Sequence, residues 1–457
     1  MAAAANHAKL TEGPIHRHLV DMALPMMLGI LSAVAFNAAD TYFVGQLGTG
    51  PLAAISFTFP VVLLVINLSV GLGAGISSVL ARAIGAGDDA AAQRLATAAL
   101  LFTVLFSIIL SVLGLLTIEP LFALLGAQPE LLPDIRAFMT IWYPGLGFVI
   151  LSMAAIAILR SVGETRLPGY LMVAASLLNI VMDPVLIFGL LGAPRLEIAG
   201  AAIATVTSRG LLVAVLFHIL WRRGLLERTW TGVTDLLVSW RRILHVGLPA
   251  TGTNVIIPLT MGAIVALVAT FGSDAVAGFG VALRIEGVML VVYYALSAVI
   301  GPVAGQNLGA GKPQRVREAL RISVRFCFVS GIAIAVIMAF AGGPIASIFS
   351  DEARVVEVAQ LYLWITPISY GGAGAVMVCS ATLNGLGLPG RAVIVSVTRM
   401  LVLYLPLAYL SAPYLGLDGV FVAGSFANLF AGVFAYRWFR SANLGPEEAT
   451  DAPRAAD

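Results

Sequence analysis

Charge is what this sequence has least of. Of 457 residues only 11% are Asp, Glu, Lys or Arg, against roughly a quarter in an ordinary soluble domain. So few charges could not keep in water a chain that is 60% hydrophobic. Cysteine is scarce as well. Cys327 and Cys379 stand singly inside apolar stretches, which argues against a disulfide framework and a thiolate metal site. The five histidines (His7, His16, His18, His218, His245) are scattered, with no acid pair at metal-ligand spacing beside them. Neither an enzyme nor a structural metal centre is therefore expected. A net charge of +2 offers no basic surface for nucleic acid. A cleavable leader is not expected, because the polar first 17 residues run straight into a full-length apolar stretch.

What is present is apolar sequence in runs of about 20 residues or more, enough to cross a hydrocarbon core of ~30 Å. Polar and Gly/Pro breaks divide it into twelve spans, at 19–46, 52–82, 92–116, 134–159, 169–191, 199–222, 243–270, 276–307, 316–341, 358–383, 390–411 and 416–438. The fold class expected is an all-α integral membrane protein of two six-helix bundles. The first bundle covers 19–222 after a cytoplasmic tail at 1–18. A cytoplasmic linker at 223–242 leads to the second bundle at 243–438, and a disordered tail at 439–457 closes the chain. Twenty of the 26 Lys and Arg fall in the tails and in the even-to-odd connections; only Arg136, Arg195 and Arg354 fall on the other side. Basic loops stay inside, so both termini are expected in the cytoplasm of a bacterium, with the bundle in its inner membrane.

The two halves repeat at one offset. Sliding the chain by 224 residues aligns Leu24-Pro25 with Leu248-Pro249 and Gly48 with Gly272. The same shift brings Gly85-Ala86-Gly87 onto Gly309-Ala310-Gly311, Gly163 onto Gly387, Leu191-Gly192 onto Leu415-Gly416, and Ala199-Gly200 onto Ala423-Gly424. In a chain with 47 glycines one coincidence means nothing. A single gapless offset that keeps striking helix ends does. An even number of spans per half gives both halves the same orientation, the parallel-repeat plan of many secondary transporters.

Several motifs resemble the multidrug and toxic compound extrusion (MATE) transporters. They are NAADTYFVGQLG from Asn37 to Gly48, Gly85-Ala86-Gly87, Leu159-Arg160 with Gly163, NIVMDP from Asn179 to Pro184, and Gly301-Pro302 with QNLGAG from Gln306 to Gly311. The resemblance implies a secondary active multidrug exporter driven by an ion gradient. Its partners would be lipophilic, often cationic drugs or toxins and the lipid bilayer, and the protein would act as a monomer.

The residues themselves point to where coupling would occur. Ionisable groups inside spans are costly and therefore functional candidates. Asp40 and Asp183 lie about two turns from the outer ends of helices 1 and 5. Asn179 shares a helix face with Asp183, and Pro184 leaves the carbonyl of Ile180 without a helical donor. Burial and a neighbouring carboxylate both favour the neutral form of a carboxyl group, so such a set can carry a proton; it could also bind Na⁺. A purely structural role, each acid held by a hydroxyl or an arginine, is the alternative. Adding 224 to Asp40, Asn179 and Asp183 lands on Ile264, Leu403 and Leu407, and helix 7, VGLPATGTNVIIP, holds no acid. This is similar to the DinF-like branch, whose resemblance assigns protonation to Asp40 with Asn179, Asp183 and Thr205 as its network, and so proton antiport. A family tyrosine of helix 4 appears here as Phe138. Among the charges of the second half, Arg284 and Glu286 are read as a fixed pair or a gate, while Arg209 and Arg399 are read as structural. Pro25 is a candidate hinge of helix 1. Phe36, Phe57, Met139, Met153 and Met289 suit a flat lipophilic cargo but serve equally as core. Two other readings remain: Na⁺-coupled drug antiport, and a lipid-linked precursor flippase, which would line its cavity with more basic residues.

Overall fold

A run of apolar residues in a membrane must close its own backbone hydrogen bonds, and here it does so as helix throughout. The structure, a computed structural model, describes residues 9–227 and 232–441. Among these, the helices are α1 (Ile15–Gly45), α2 (Thr49–Gly85), α3 (Asp89–Leu124), α4 (Leu132–Ser161), α5 (Arg166–Phe188) and α6 (Glu197–Arg222), followed by α7 (Val233–Ala269). Then come α8 (Ser273–Met289), α9 (Val291–Gly309), α10 (Pro313–Ala346), α11 (Ala353–Ile365), α12 (Tyr370–Gly385), α13 (Pro389–Val397) and α14 (Leu405–Ser441), with a π-helical segment, Thr398–Tyr404, joining the last two. No strand occurs among the described residues.

Each expected span has its helix, with three differences in form. The eighth span is the bent pair α8–α9, broken by 45°. The tenth is α11 and α12, joined by a short 3₁₀ turn at Thr366–Ser369. The last two are continuous: Pro389–Arg440 is one helical stretch of 52 residues, more than twice the ~20 needed to cross. It divides at Gly416, whose φ of 61° and ψ of −143° are not helical.

Boundaries moved at the polar ends. Helix α7 starts at Val233, within the stretch expected as a linker, and α1 starts at Ile15 after a 3₁₀ turn at Lys9–Thr11. Helix α14 continues to Ser441. The remainder of the tail at 442–457, residues 1–8 and residues 228–231 lie outside the described residues.

Backbone geometry carries the repeat further than the residue matches do. Positive-φ glycines pair at the same offset: Gly48 (121°) with Gly272 (108°), Gly87 (77°) with Gly311 (67°), Gly163 (79°) with Gly387 (79°), and Gly192 (83°) with Gly416 (61°). Each stands where a side chain would be strained, at a helix end or a break. The closing bonds match too, Asp88 N–H to the Ala83 carbonyl at 3.0 Å and Lys312 N–H to the Asn307 carbonyl at 2.8 Å, the outer bond of a Schellman cap.

Packing divides the described chain into two units, and the division does not follow the linker. Leu24–Gly247 form the first; Leu248 onward, together with the leading residues up to Ala23, form the second. In the first, α4 is central, against α2, α3 and α6; in the second, α12 packs against α9, α10 and α14. Close approach needs glycine at Gly75 of α2, where a Cβ would meet the Ile243 carbonyl and stand 2.8 Å from Gly247 Cα of α7.

Candidate ion-coupling site

In the first unit, Asp40 of α1 and Asp183 of α5 each lie five residues before the end of their helix, at Gly45 and Phe188. Asp183 is fully buried and Asp40 half-buried. The two carboxyl groups are near enough for the charge of Asp40 to act on Asp183. Neither forms an ion pair with a Lys or Arg among the described residues. Both oxygens of Asp183 and Oδ1 of Asp40 are buried without a hydrogen-bond partner. Proteins rarely leave such atoms unsatisfied.

Asn179, one turn before Asp183, is oriented by α6. Its Nδ2 donates to Thr205 Oγ1 at 3.3 Å and to Ser208 Oγ at 3.4 Å, while Ser208 Oγ donates to the Thr205 carbonyl at 3.0 Å. With both amide hydrogens turned toward the hydroxyls, Asn179 Oδ1 is left buried and unpartnered. The structure thus gathers Asp40, Asn179, Asp183 and Thr205 as expected in one unit and adds Ser208. That residue was signalled only by its place three after Thr205 on the same helix face. Three carboxyl oxygens and one amide oxygen without donors are an acceptor set for a proton or a small hard cation.

The surroundings bear on how α1 could move. Pro25 deprives the carbonyl of Asp21 of its helical donor. Opposite it, a Cβ on Gly169 of α5 would stand 2.5 Å from the Pro25 carbonyl oxygen, so α1 and α5 cross with backbones in contact. Phe138 is buried in α4 with 5% exposure and offers no hydroxyl. At the positions equivalent to the acids, the second unit has apolar packing: Ile264 belongs to its core cluster, and Leu403 and Leu407 pack on it.

Arg284 and Glu286 do not pair. Arg284 is exposed, whereas Glu286 accepts from the Tyr362 hydroxyl and interacts electrostatically with Arg399. Positions two apart on a helix point to different sides.

A family profile, MatE, matches residues 25–185 and a second time residues 249–410. The chain belongs to the MatE family. The two matched blocks start 224 residues apart, the offset of the internal repeat. The FAD transporter of Shewanella oneidensis is 40% identical over 428 residues, 93% of this chain and 95% of that protein. A probable multidrug resistance protein of Bacillus subtilis, YoeA, is 26% identical over 94% of this chain and 95% of its own length. Among solved structures, the Vibrio cholerae MATE transporter VcmN in its bent form superposes with a TM-score of 0.90 at 30% identity, covering 98% of this chain and 100% of that one. This MatE-family protein is therefore a multi-pass membrane transporter with twelve helices in two related halves.

Proposed function

We propose that the protein is a secondary active efflux transporter of the DinF-like branch, which exports lipophilic, often cationic compounds in exchange for protons. The reading places it in the bacterial inner membrane as a monomer with both termini in the cytoplasm. The observation that carries it is the pair Asp40 and Asp183, whose buried oxygens lack donors in a bilayer-spanning bundle. Two adjacent ionised carboxylates repel each other and lack water to screen them. A proton bound between them removes that repulsion and lets α1 settle against α5. Release of the proton restores it. Asn179, held by Thr205 and Ser208, turns its carbonyl oxygen rather than its amide hydrogens to the remaining space, which favours a protonated partner. Pro25 gives α1 a point at which to bend. The apolar residues that replace the acids in the second half support confining the coupling to the first.

A second reading concerns cargo alone. The 40% identity to an FAD transporter, against 26% to the drug-resistance relative, supports a flavin nucleotide as a transported compound. Efflux from proteoliposomes under a pH gradient alone, and then a Na⁺ gradient alone, tests the coupling. Ethidium and FAD as alternative cargoes test the substrate. Transport under the pH gradient only is expected. Drive by Na⁺ only would overturn proton antiport and leave the same oxygens as a Na⁺ site.

A further inference from the structure

The second unit contains a polar cluster that the coupling reading does not use. Arg399 lies in the π-helical segment Thr398–Tyr404 and is only 9% exposed, with Nε buried and unpartnered. It interacts electrostatically with Glu286 of α8 and Tyr294 of α9. Glu286 in turn accepts from the hydroxyl of Tyr362 on α11 and acts on Tyr370 of α12 and on Tyr404. Tyr362, Tyr370 and Tyr404 are buried, and the Tyr370 hydroxyl has no hydrogen-bond partner among the described residues. Glu286 is half-buried and Tyr294 is 48% exposed, which gives the cluster one open side.

A buried guanidinium is costly unless it is paired and hydrogen-bonded. Glu286, which could pair with it, is held by Tyr362 and forms no ion pair with Arg399 among the described residues. The π-helical turn that sets Arg399 here inserts an extra residue into the helix, an irregularity found mostly where function requires it. A guanidinium is a planar fork matched to carboxylate or phosphate oxygens. Around it stand flat tyrosine rings with hydroxyls to spare, surfaces suited to an aromatic body.

We propose that this cluster is a binding site for aromatic organic anions, whose anionic group takes Arg399 while the ring rests on the tyrosines. Glu286 is the competing counter-charge. With Glu286 ionised, Arg399 is partly neutralised; a proton on Glu286 leaves the guanidinium to the ligand, so anion binding favours the protonated glutamic acid. Arg284 lies two residues along α8 and is exposed, outside this set. The site is independent of the role proposed for Asp40 and Asp183, and a binding measurement without transport separates the two.

The test uses the full chain in phosphatidylcholine nanodiscs and two flavins that differ by one phosphate, riboflavin and flavin mononucleotide, followed by fluorescence anisotropy at constant pH. The mononucleotide should bind about tenfold more tightly, the worth of a charge-assisted hydrogen-bonded contact. Arg399→Gln should erase that difference and leave riboflavin unchanged. Glu286→Gln, which stands for the protonated acid, should tighten the mononucleotide about threefold or more. Equal affinities for the two flavins in the unaltered protein overturn the proposal, as does a difference that survives Arg399→Gln. If Arg399→Gln is not recovered folded, unchanged or weaker mononucleotide binding by Glu286→Gln overturns it instead. Repeating the measurement with phosphatidylglycerol in the disc should leave the preference intact. Its loss there would assign Arg399 to a lipid headgroup and overturn a soluble ligand.

Discussion

Asn179 and Asp183 stand one turn apart on α5, yet only Asn179 is bonded: its amide reaches Thr205 and Ser208, while neither oxygen of Asp183 has a donor. An acid so placed is an acceptor waiting for a proton. Asp40→Asn and Asp183→Asn should each lower drug efflux by about tenfold or more, because the neutral amide can neither bind nor release the coupling proton. Drug-resistance assays with matched membrane protein levels check this. Wild-type efflux by either variant would remove that acid from the mechanism.

Asn179→Ala should have a smaller effect. It removes the group that Thr205 and Ser208 orient but leaves both carboxyl groups, so a loss of about fivefold is expected, the scale of one ordinary hydrogen bond. Ser208→Ala should cost less, because Thr205 still accepts from the amide. Initial efflux rates across pH separate these variants, and an Asn179→Ala protein as inactive as Asp183→Asn would make the amide a direct ligand instead.

Two glycines in helices make opposite predictions. Gly75→Ala puts a Cβ against the backbone of Ile243 and Gly247 and should destabilise by about 1–3 kcal/mol, the usual cost of overpacking. Gly252→Ala meets nothing within 4 Å and should be neutral or stabilising by up to about 1 kcal/mol, through helix propensity. Thermal unfolding in detergent reads both, and equal shifts would mean that the close approach of α2 and α7 is not required.

The leading segment of the second unit is fastened by side chains. Arg315 donates to the Gly13 carbonyl at 2.9 Å and to Asn307 Oδ1 at 2.8 Å, and Asn307 Nδ2 donates to the Leu10 carbonyl at 3.1 Å. Arg315→Ala should therefore speed tryptic cleavage after Lys9 and Arg17 several-fold, by local release rather than global unfolding. Cleavage kinetics unchanged from the unaltered protein would show that the remaining contacts suffice.

Much of the architecture was legible because membrane spanning imposes length. Runs of about 20 apolar residues mark spans whatever their neighbours do, and Gly48, Gly87, Gly163 and their partners mark helix ends because their conformations exclude side chains. The acids were legible for a related reason, since a charge in such a run has few explanations. What was not legible depends on tertiary contact. Val233–Trp240 reads as polar linker, but its helix forms with Trp240 Nε1 donating to the Ala98 carbonyl at 2.8 Å. The 52-residue final helix has no polar break at Gly416, only a backbone turn. Glu286 found its partners on α11 and in the π-helical segment rather than two residues away at Arg284, and nothing local in Thr398–Tyr404 announces a π-helix.

The division at Leu24 and at Leu248 has an evolutionary corollary. The 224-residue repeat makes each half a copy of one ancestral unit, and the leading residues of the chain pack with the copy that follows. A half-length ancestor with the same crossing would have been a homodimer with exchanged first turns, the arrangement called domain swapping. Gene fusion then joined two already interlocked subunits into one polypeptide. The same interlock means that cutting the chain between the halves should yield two fragments that recover a native fold only when made together.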